Sequence, residues 1–445
     1  MVRPRQVFAQ VPYQRATTQV AVWLGHFFSI SPMLSHRNIS TFATIALLLG
    51  CLRAHADTLE QITAEALRNN PELRVLEQSI AAAKGGVKTA RTLSNPELTL
   101  APGFRRTREG DSSRNQFHGE LGLSQLFKFP GKRALEIAIA ERNVELTQIA
   151  REGFRFQVTA KVRGEFYDFL ASQQIVQSRR DQVDAAEKFV ESARKRAEGG
   201  YASDFEIVKS QADLITANKA LRQAQGRITA ARITLNALMG RTPSAPLEIS
   251  GTLDNVQPRG SRGDFVALAL AHNPGIRTQT RQIELAGLNL RSTRFGRRPD
   301  FAIGPSIEYL DNEQTYGLSA TFALPLWDQK QGAIETATAE QRKALTELEK
   351  TRAEVAAEVT KASANLELAK AQLALYSPAF LEQLKAFIAQ AEQGYAQSTT
   401  TLLIYLDAKR TYYDTLADYY ETLGSVAENR AELESAVGVP LEVTP

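Results

Sequence analysis

Ala66-Leu-Arg-Asn-Asn-Pro-Glu-Leu-Arg74 returns as Ala269-Leu-Ala-His-Asn-Pro-Gly-Ile-Arg277, 203 residues further along the chain. Pro96-Glu-Leu-Thr-Leu-Ala-Pro102 returns as Pro299-Asp-Phe-Ala-Ile-Gly-Pro305 at the same offset of 203, and Leu238-Met239-Gly240 as Ala436-Val437-Gly438 at 198. Each copy reads as a helix, two short alternating strands and two long helices. A duplicated unit of this size implies one pseudo-symmetric object, with each copy supplying half of the wall.

Working outward, the first copy spans 57–240. Proline cannot continue a helical ladder, so Asn69-Asn70-Pro71 interrupts the first helix. Leu98, Leu100 and Phe104 alternate with small or polar residues, which predicts a strand over about 96–105. Residues 106–115 are charged and read as an exposed loop. A second alternation, with Phe117, Leu121, Leu123, Phe127 and Phe129 on one face, predicts a strand over about 115–129, stopped by Pro130-Gly131. From Lys132 no proline occurs until well past Arg196, so a helix over 132–197 is expected, roughly 100 Å long at about 1.5 Å per residue. Gly199-Gly200 breaks it and a return helix follows over 204–239. Residues 241–262 form an irregular connector. The second copy, 263–439, repeats the plan: strands at about 299–309 and 315–325, a long helix over 331–393 kinked at Pro378, a return helix over 399–437, and a tail at 440–445.

The formal charge of +4 is misleading, because residues 1–56 hold five arginines and no acid. Without them 48 basic residues face 49 acidic ones, which removes the compositional support for a nucleic-acid partner. Residues 1–56 read as a signal region. Arg37 precedes an apolar stretch from Ile39 to Leu52, and Ala54-His55-Ala56 offers small residues for cleavage. Met33 stands where such a signal normally begins, so residues 1–32 are a possible mis-assigned start. The one cysteine, Cys51, sits in Leu48-Leu49-Gly50-Cys51, which resembles a lipidation box; the alternative is a cysteine inside a discarded signal. Either way no disulfide forms within the mature chain.

Strands of about 10 residues with one wholly apolar face match the length that crosses a bilayer at a tilt. A half-buried soluble sheet gives the same alternation. Context separates the two: four such strands are flanked by helices too long for a compact domain. Lipid tolerates no open sheet edge, so if these strands span a membrane several chains must pool them. Three chains with four strands each would close a barrel of twelve.

In the order and spacing of these elements the whole mature chain resembles the TolC family of outer-membrane efflux channels. The fold this implies is mainly α with a small β part: long antiparallel helical hairpins build a periplasmic α-barrel, and four strands per chain contribute to a trimeric 12-stranded outer-membrane β-barrel. Phe129-Pro130-Gly131-Lys132-Arg133, with Ala134 and Ala138, and Leu324-Pro-Leu-Trp-Asp-Gln-Lys-Gln-Gly332 resemble the helix starts of channels serving heavy-metal exporters of the cobalt-zinc-cadmium type. The implied partners are two sister subunits in a homotrimer, a periplasmic adaptor (membrane fusion) protein, an inner-membrane pump of the resistance-nodulation-division type, and outer-membrane lipid.

The resemblance also implies sites. Helix tips at Gly200-Tyr201-Ala202-Ser203 and Gly394-Tyr395-Ala396-Gln397-Ser398 are where an adaptor would dock; the alternative is that they merely reverse the chain. Asp407 falls on an acidic position of the family's constricting ring, where three copies would favour cations. Ile404 stands where a second acid is typical, Thr400 where some members carry a latching arginine, and Tyr395 matches the aromatic partner of that latch. A solvated helical aspartate is the bland reading of Asp407.

Tyr405, Tyr412 and Tyr419 recur every seven residues, which reads as a seam between packed helices rather than a stacking surface for cargo. After the signal only His118, His272 and Met239 remain as soft or imidazole donors, without ligand spacing, so metal ions, if they are cargo, pass through without a dedicated site, and no cofactor is expected. No nucleophile–base pair or nucleotide loop points to an enzyme. The expected function is a passive exit duct, for heavy-metal cations or alternatively for drugs or secreted protein. A soluble periplasmic coiled-coil scaffold is the competing class.

Overall fold

The computed structural model describes residues 56–109, 112–200, 203–253, 262–310 and 313–441. The signal region with Cys51, and the tip residues Tyr201 and Ala202, lie outside the described residues. Helices α1 (Leu59–Asn69) and α2 (Pro71–Arg91) lead into strands β1 (Glu97–Glu109) and β2 (Ser112–Phe127), followed by α3 (Lys132–Glu198) and α4 (Asp204–Leu238). The second copy gives α5 (Arg262–His272), α6 (Pro274–Phe295), β3 (Phe301–Leu310), β4 (Glu313–Phe322), α7 (Gln331–Leu373), α8 (Pro378–Ala396) and α9 (Leu402–Val437). Central among the helices is α3, which packs against α1, α2, α4, α6 and α9.

The repeated Asn-Pro and Gly signals meet in space. Asn70 Oδ1 accepts from the backbone N–H of Glu72 at 3.0 Å, capping α2, while its Nδ2 donates to the Leu238 carbonyl at 3.1 Å. Asn273 does the same in the second copy: Oδ1 accepts from Gly275 N at 2.8 Å and Nδ2 donates to Ala436 O at 2.8 Å. One asparagine thus satisfies an orphan donor at a helix start and an orphan carbonyl at a distant helix end. The glycines that follow those ends, Gly240 and Gly438, hold φ of +69° and +82°. A Cβ there would lie 2.7 Å from Asn69 O and 2.5 Å from Pro274 Cδ, so glycine is required twice over.

Each copy has its own core at this closure. Ile62, Ala66, Val162, Phe166, Leu235 and Met239 are buried together in the first, and Phe265, Ala269, Val359, Leu366, Leu433 and Val437 in the second. Ile62 and Phe265, or Leu235 and Leu433, are the same position seen twice.

The four strands form one antiparallel sheet in the order β1-β2-β3-β4, so β2 and β3 join the two copies. Its register places Leu100, Leu121, Ile307 and Tyr316 in one row, and Phe127, Phe301 and Phe322 in another. Most of the large apolar residues of the four strands therefore share a face, Leu126 and Leu310 excepted, and Leu98, Leu100, Phe104, Tyr316 and Leu318 are each more than 60 % exposed on the single chain. The other face carries Thr99, His118, Glu120, Ser306, Glu308 and Ser319. β1 and β4 each keep one edge without a strand partner among the described residues.

Two expectations need correction. Pairing in the first hairpin runs beyond the predicted 96–105 and 115–129, through Arg106↔Asn115 to Glu109↔Ser112. The ladder is made by backbone groups, so it continues where side-chain alternation stops. The helix expected over 331–393 is two helices: α7 ends at Leu373 and α8 begins at Pro378, capped by the Ser377 hydroxyl, which accepts from Phe380 N at 3.1 Å. A proline with a serine before it makes a helix start, not a kink.

Candidate functional site: the helix tips and the adjoining gate residues

The tips lie at the ends of the two helical hairpins, remote from the sheet. In the first, α3 ends at Glu198, and Gly200 takes φ of +75° with open space where a Cβ would project. Ser203 opens α4 with extended backbone, and its hydroxyl caps nothing; its carbonyl accepts from Glu206 N at 2.9 Å.

The second tip is built differently. Gly394 is not in the turn but in the last turns of α8, and a Cβ there would lie 2.4 Å from Thr400 Oγ1 and 3.1 Å from Thr400 Cβ. The Gly394 carbonyl accepts from Thr399 N at 2.8 Å and Thr400 N at 3.1 Å, folding the turn back on the helix. Gln397 is the C-cap, and Ser398 takes φ of +61°, the left-handed value that reverses the chain. Thr401 then caps α9 by accepting from Ile404 N at 3.5 Å. Ala396 is exposed beside them.

Behind the tips sits an aromatic cluster. Tyr395 is buried and stacks on Tyr405 with ring centroids 5.5 Å apart, while Phe189 of α3 packs against both rings. The Arg196 guanidinium lies 4.9 Å over the Tyr395 ring, and the Tyr395 hydroxyl donates to Glu206 Oε2 at 2.9 Å. Burial first, and then the Glu206 carboxylate, push the Tyr395 phenol up. Thr400, at the position where some family members carry a latching arginine, is engaged with Gly394. The arginine that reaches Tyr395 comes instead from α3, and the carboxylate from α4. Two hairpins are thereby tied at their tips through one tyrosine.

On α9, Asp407 is exposed and forms no ion pair among the described residues, and Ile404 beside it is 54 % exposed. Both project away from the helix packing, whereas Lys409 is 1 % exposed and donates to Asp213 Oδ2 of α4 at 3.0 Å. Further along, Arg179 of α3 donates to Asp414 at 2.8 Å. These charged pairs stitch α9 to α3 and α4, and Asp407 is left outside them. Tyr405 and Tyr413 are buried in the same seam, and burial raises both phenols, Tyr413 to about 12. Of the heptad tyrosines, Tyr405 is buried in this packing, whereas Tyr412 and Tyr419 are half-buried.

Sequence reading missed Arg196, Glu206, Phe189 and the Lys409–Asp213 pair. Phe189 and Arg196 are one heptad apart on α3, a spacing that could have placed them on one face; nothing local marks Glu206 or Lys409. Also missed were the apolar residues left exposed by the tips: Phe205 at 72 %, Val208 at 63 % and Leu403 at 69 %. His118 and Glu308 approach to 3.7 Å across the sheet, and no third ligand joins them. Among the described residues no group of three or more His, Cys, Asp or Glu is arranged to hold a metal ion. No described helix is long and apolar enough to cross a membrane, which says nothing about a β-barrel.

Comparison with known proteins places this geometry. The family model described as outer membrane efflux protein matches residues 62–241 and 265–439, one match to each copy of the repeat. The chain is 24 % identical over 357 residues to the cobalt-zinc-cadmium resistance protein CzcC of Cupriavidus metallidurans, covering 80 % of this chain and 83 % of that protein. It is 24 % identical over 320 residues to the nickel-cobalt-cadmium resistance protein NccC of Alcaligenes xylosoxydans xylosoxydans, covering 70 % and 72 %. Among solved structures it resembles the outer-membrane channel OprN with a TM-score of 0.73 at 15 % identity, over 86 % of this chain and 90 % of that one.

Proposed function

We propose, from the premise that this chain belongs to the outer membrane efflux protein family, that it is the exit duct of a tripartite system that expels heavy-metal cations. A member of this family is an outer-membrane efflux channel and not an enzyme, which leaves no place for the scaffold reading. The finer parts are our own reading. Three copies pool their sheets into a twelve-stranded barrel, the tips receive a periplasmic adaptor, and an inner-membrane pump of the resistance-nodulation-division type supplies the cargo. The observation that carries the reading is the sheet: one apolar face continuous across four strands, exposed on the single chain, with two edges that only another chain can pair.

The metal assignment is supported by the resistance relatives and by the exposed Asp407. As a ring of three, Asp407 would concentrate negative charge at the narrow end and favour cations, with no resident ligand site needed. Tyr395 and Glu206 hold the tips together beside it, and Gly200, Ser203, Phe205 and Leu403 offer open backbone and apolar surface to an adaptor. The alternative cargoes are drugs and secreted protein. Deleting the gene and measuring zinc, cobalt, cadmium and drug tolerance separates them: loss of metal tolerance alone is expected, and unchanged metal tolerance removes the metal assignment. Detergent-extracted protein should cross-link as a trimer and conduct in planar bilayers; absence of both sinks the duct.

A further inference from the structure

The junctions between strands and helices converge on a single rim. Arg297 Nε donates to the Gln329 carbonyl at 2.9 Å, tying the α6–β3 turn to the β4–α7 connection. The Arg298 guanidinium lies 4.9 Å from the Phe129 ring and 4.7 Å from the Phe295 ring, which brings in the β2–α3 junction. Phe129 N donates to Asp300 Oδ1 at 2.8 Å and closes the assembly. The rim begins where the apolar face of the sheet ends, one step past the row Phe127, Phe301 and Phe322.

Two properties of this rim are unusual together. Its lysines are neutralised, Lys132 by Asp300, Lys128 by Glu136 and Lys330 by Asp328. Arg294, Arg297 and Arg298 are exposed and have no carboxylate partner among the described residues. The excess is local, because the chain beyond residue 56 is nearly balanced at 48 basic to 49 acidic residues. Beside these cations the β4–α7 connection holds Leu324 at 64 %, Leu326 at 63 % and Trp327 at 86 % exposure. An indole and two leucines in open water demand a covering surface. Aromatic anchors beside guanidinium groups are what a membrane–water boundary accommodates, with the ring at the headgroup level and the cations on phosphate.

We propose that this rim is a seat for anionic phospholipid headgroups of the leaflet facing the helices, with Arg294, Arg297 and Arg298 on the phosphates and Trp327 lodged beside them. The proposal rests on the reading of the sheet as lipid-facing. Charge complementarity and continuity with the apolar face select lipid as the occupant. The two rings under Arg298 and the Gln329 carbonyl under Arg297 hold these cations in place before any lipid arrives.

The test uses Trp327 itself. The chain has two tryptophans, so the full-length Trp23→Phe protein reports from Trp327 alone. It is reconstituted in vesicles of equal phosphatidylglycerol and phosphatidylcholine, with bromine on the upper acyl chain of one lipid or the other. Brominated phosphatidylglycerol should quench at least about twofold more than brominated phosphatidylcholine. Arg294→Ser/Arg297→Ser/Arg298→Ser should equalise the two, and the matching triple lysine variant should keep the preference. Equal quenching in the arginine protein overturns the headgroup seat, and this comparison stands even if the serine variant fails to assemble. A preference surviving in an assembled serine variant also overturns it. No quenching by either lipid defeats the lipid-facing reading beneath it, so the two failures are distinguishable.

Discussion

Asn273→Ala should open the C-terminal end of α9 by an amount that the structure lets one work out. Asn273 is 9 % exposed and makes two bonds at once, accepting from Gly275 N and donating to Ala436 O, both at 2.8 Å. Loss of an N-cap costs about 1 kcal/mol. Leaving the buried Ala436 carbonyl without its donor costs about 1–3 kcal/mol more. The first cost falls on the start of α6 and the second on the end of α9, where about 1–3 kcal/mol corresponds to local opening more frequent by about 5- to 150-fold. Hydrogen exchange followed by mass spectrometry reads this directly in peptides covering 430–441, while peptides from the middle of α3 serve as the internal standard. Asn273→Ser keeps an acceptor for the cap but is too short to reach Ala436, and should lose only the second component. Asn70→Ala should produce the same change at the end of α4, where the Leu238 carbonyl loses its 3.1 Å donor. Unchanged exchange at 430–441 in Asn273→Ala would refute the claim that one asparagine clasps each copy.

Other consequences can be measured separately. Gly394→Val should displace Thr399 and Thr400 and impair adaptor-dependent export while leaving oligomers intact on native gels; normal export by the variant would remove the second tip from the docking surface. Asp407→Ala should lower cation over anion selectivity in bilayer recordings, and unchanged reversal potentials would end its role as a gate residue. Asp213→Ala strands the buried Lys409 charge and should cost about 3–5 kcal/mol in denaturant unfolding, whereas Asp213→Leu combined with Lys409→Met should recover most of it. Burial, and then neighbouring carboxylates, raise Glu428 and, with Arg227 opposing, Asp168; burial, Asp168 and Glu428 raise Glu165 against Lys161. A raised acid is most stabilising when protonated, so this cluster's contribution is full below the ordinary carboxylate range and is lost as pH rises through the elevated values. Glu428→Gln with Asp168→Asn should therefore flatten the fall in melting temperature above about pH 4.5; an unaltered slope refutes the assignment.

The architecture was legible because its signals are repeated and periodic. Asn70-Pro71 and Asn273-Pro274 marked helix breaks, and the alternation from Leu98 to Phe104 and from Phe301 to Tyr309 marked strands, each by side-chain chemistry that acts locally. The ends of those elements were less legible. The first hairpin continues to Glu109 because ladder pairing needs no apolar side chain, and Ser377-Pro378 starts a new helix where a kink was expected. At the tips, Gly200 was readable as a turn residue but Gly394 was not, since its need for glycine comes from Thr400 folding back against it. Tyr395 was found, yet its partners Arg196 and Glu206 come from the other copy, and no local pattern announces a contact across about 190 residues. Lys409 reads as a solvated charge in Asp407-Ala408-Lys409-Arg410; only the approach of α4 buries it.

The two asparagine clasps also fix an order of events in time. Asn70 meets Leu238 across 168 residues and Asn273 meets Ala436 across 163, so each clasp encloses nearly the whole of its copy. Closing so long a loop has an entropic cost that local helices and hairpins do not face, and they form sooner. Each half of the exported chain would therefore zip its own hairpins first and fasten its clasp last, and neither clasp depends on the other copy to shut.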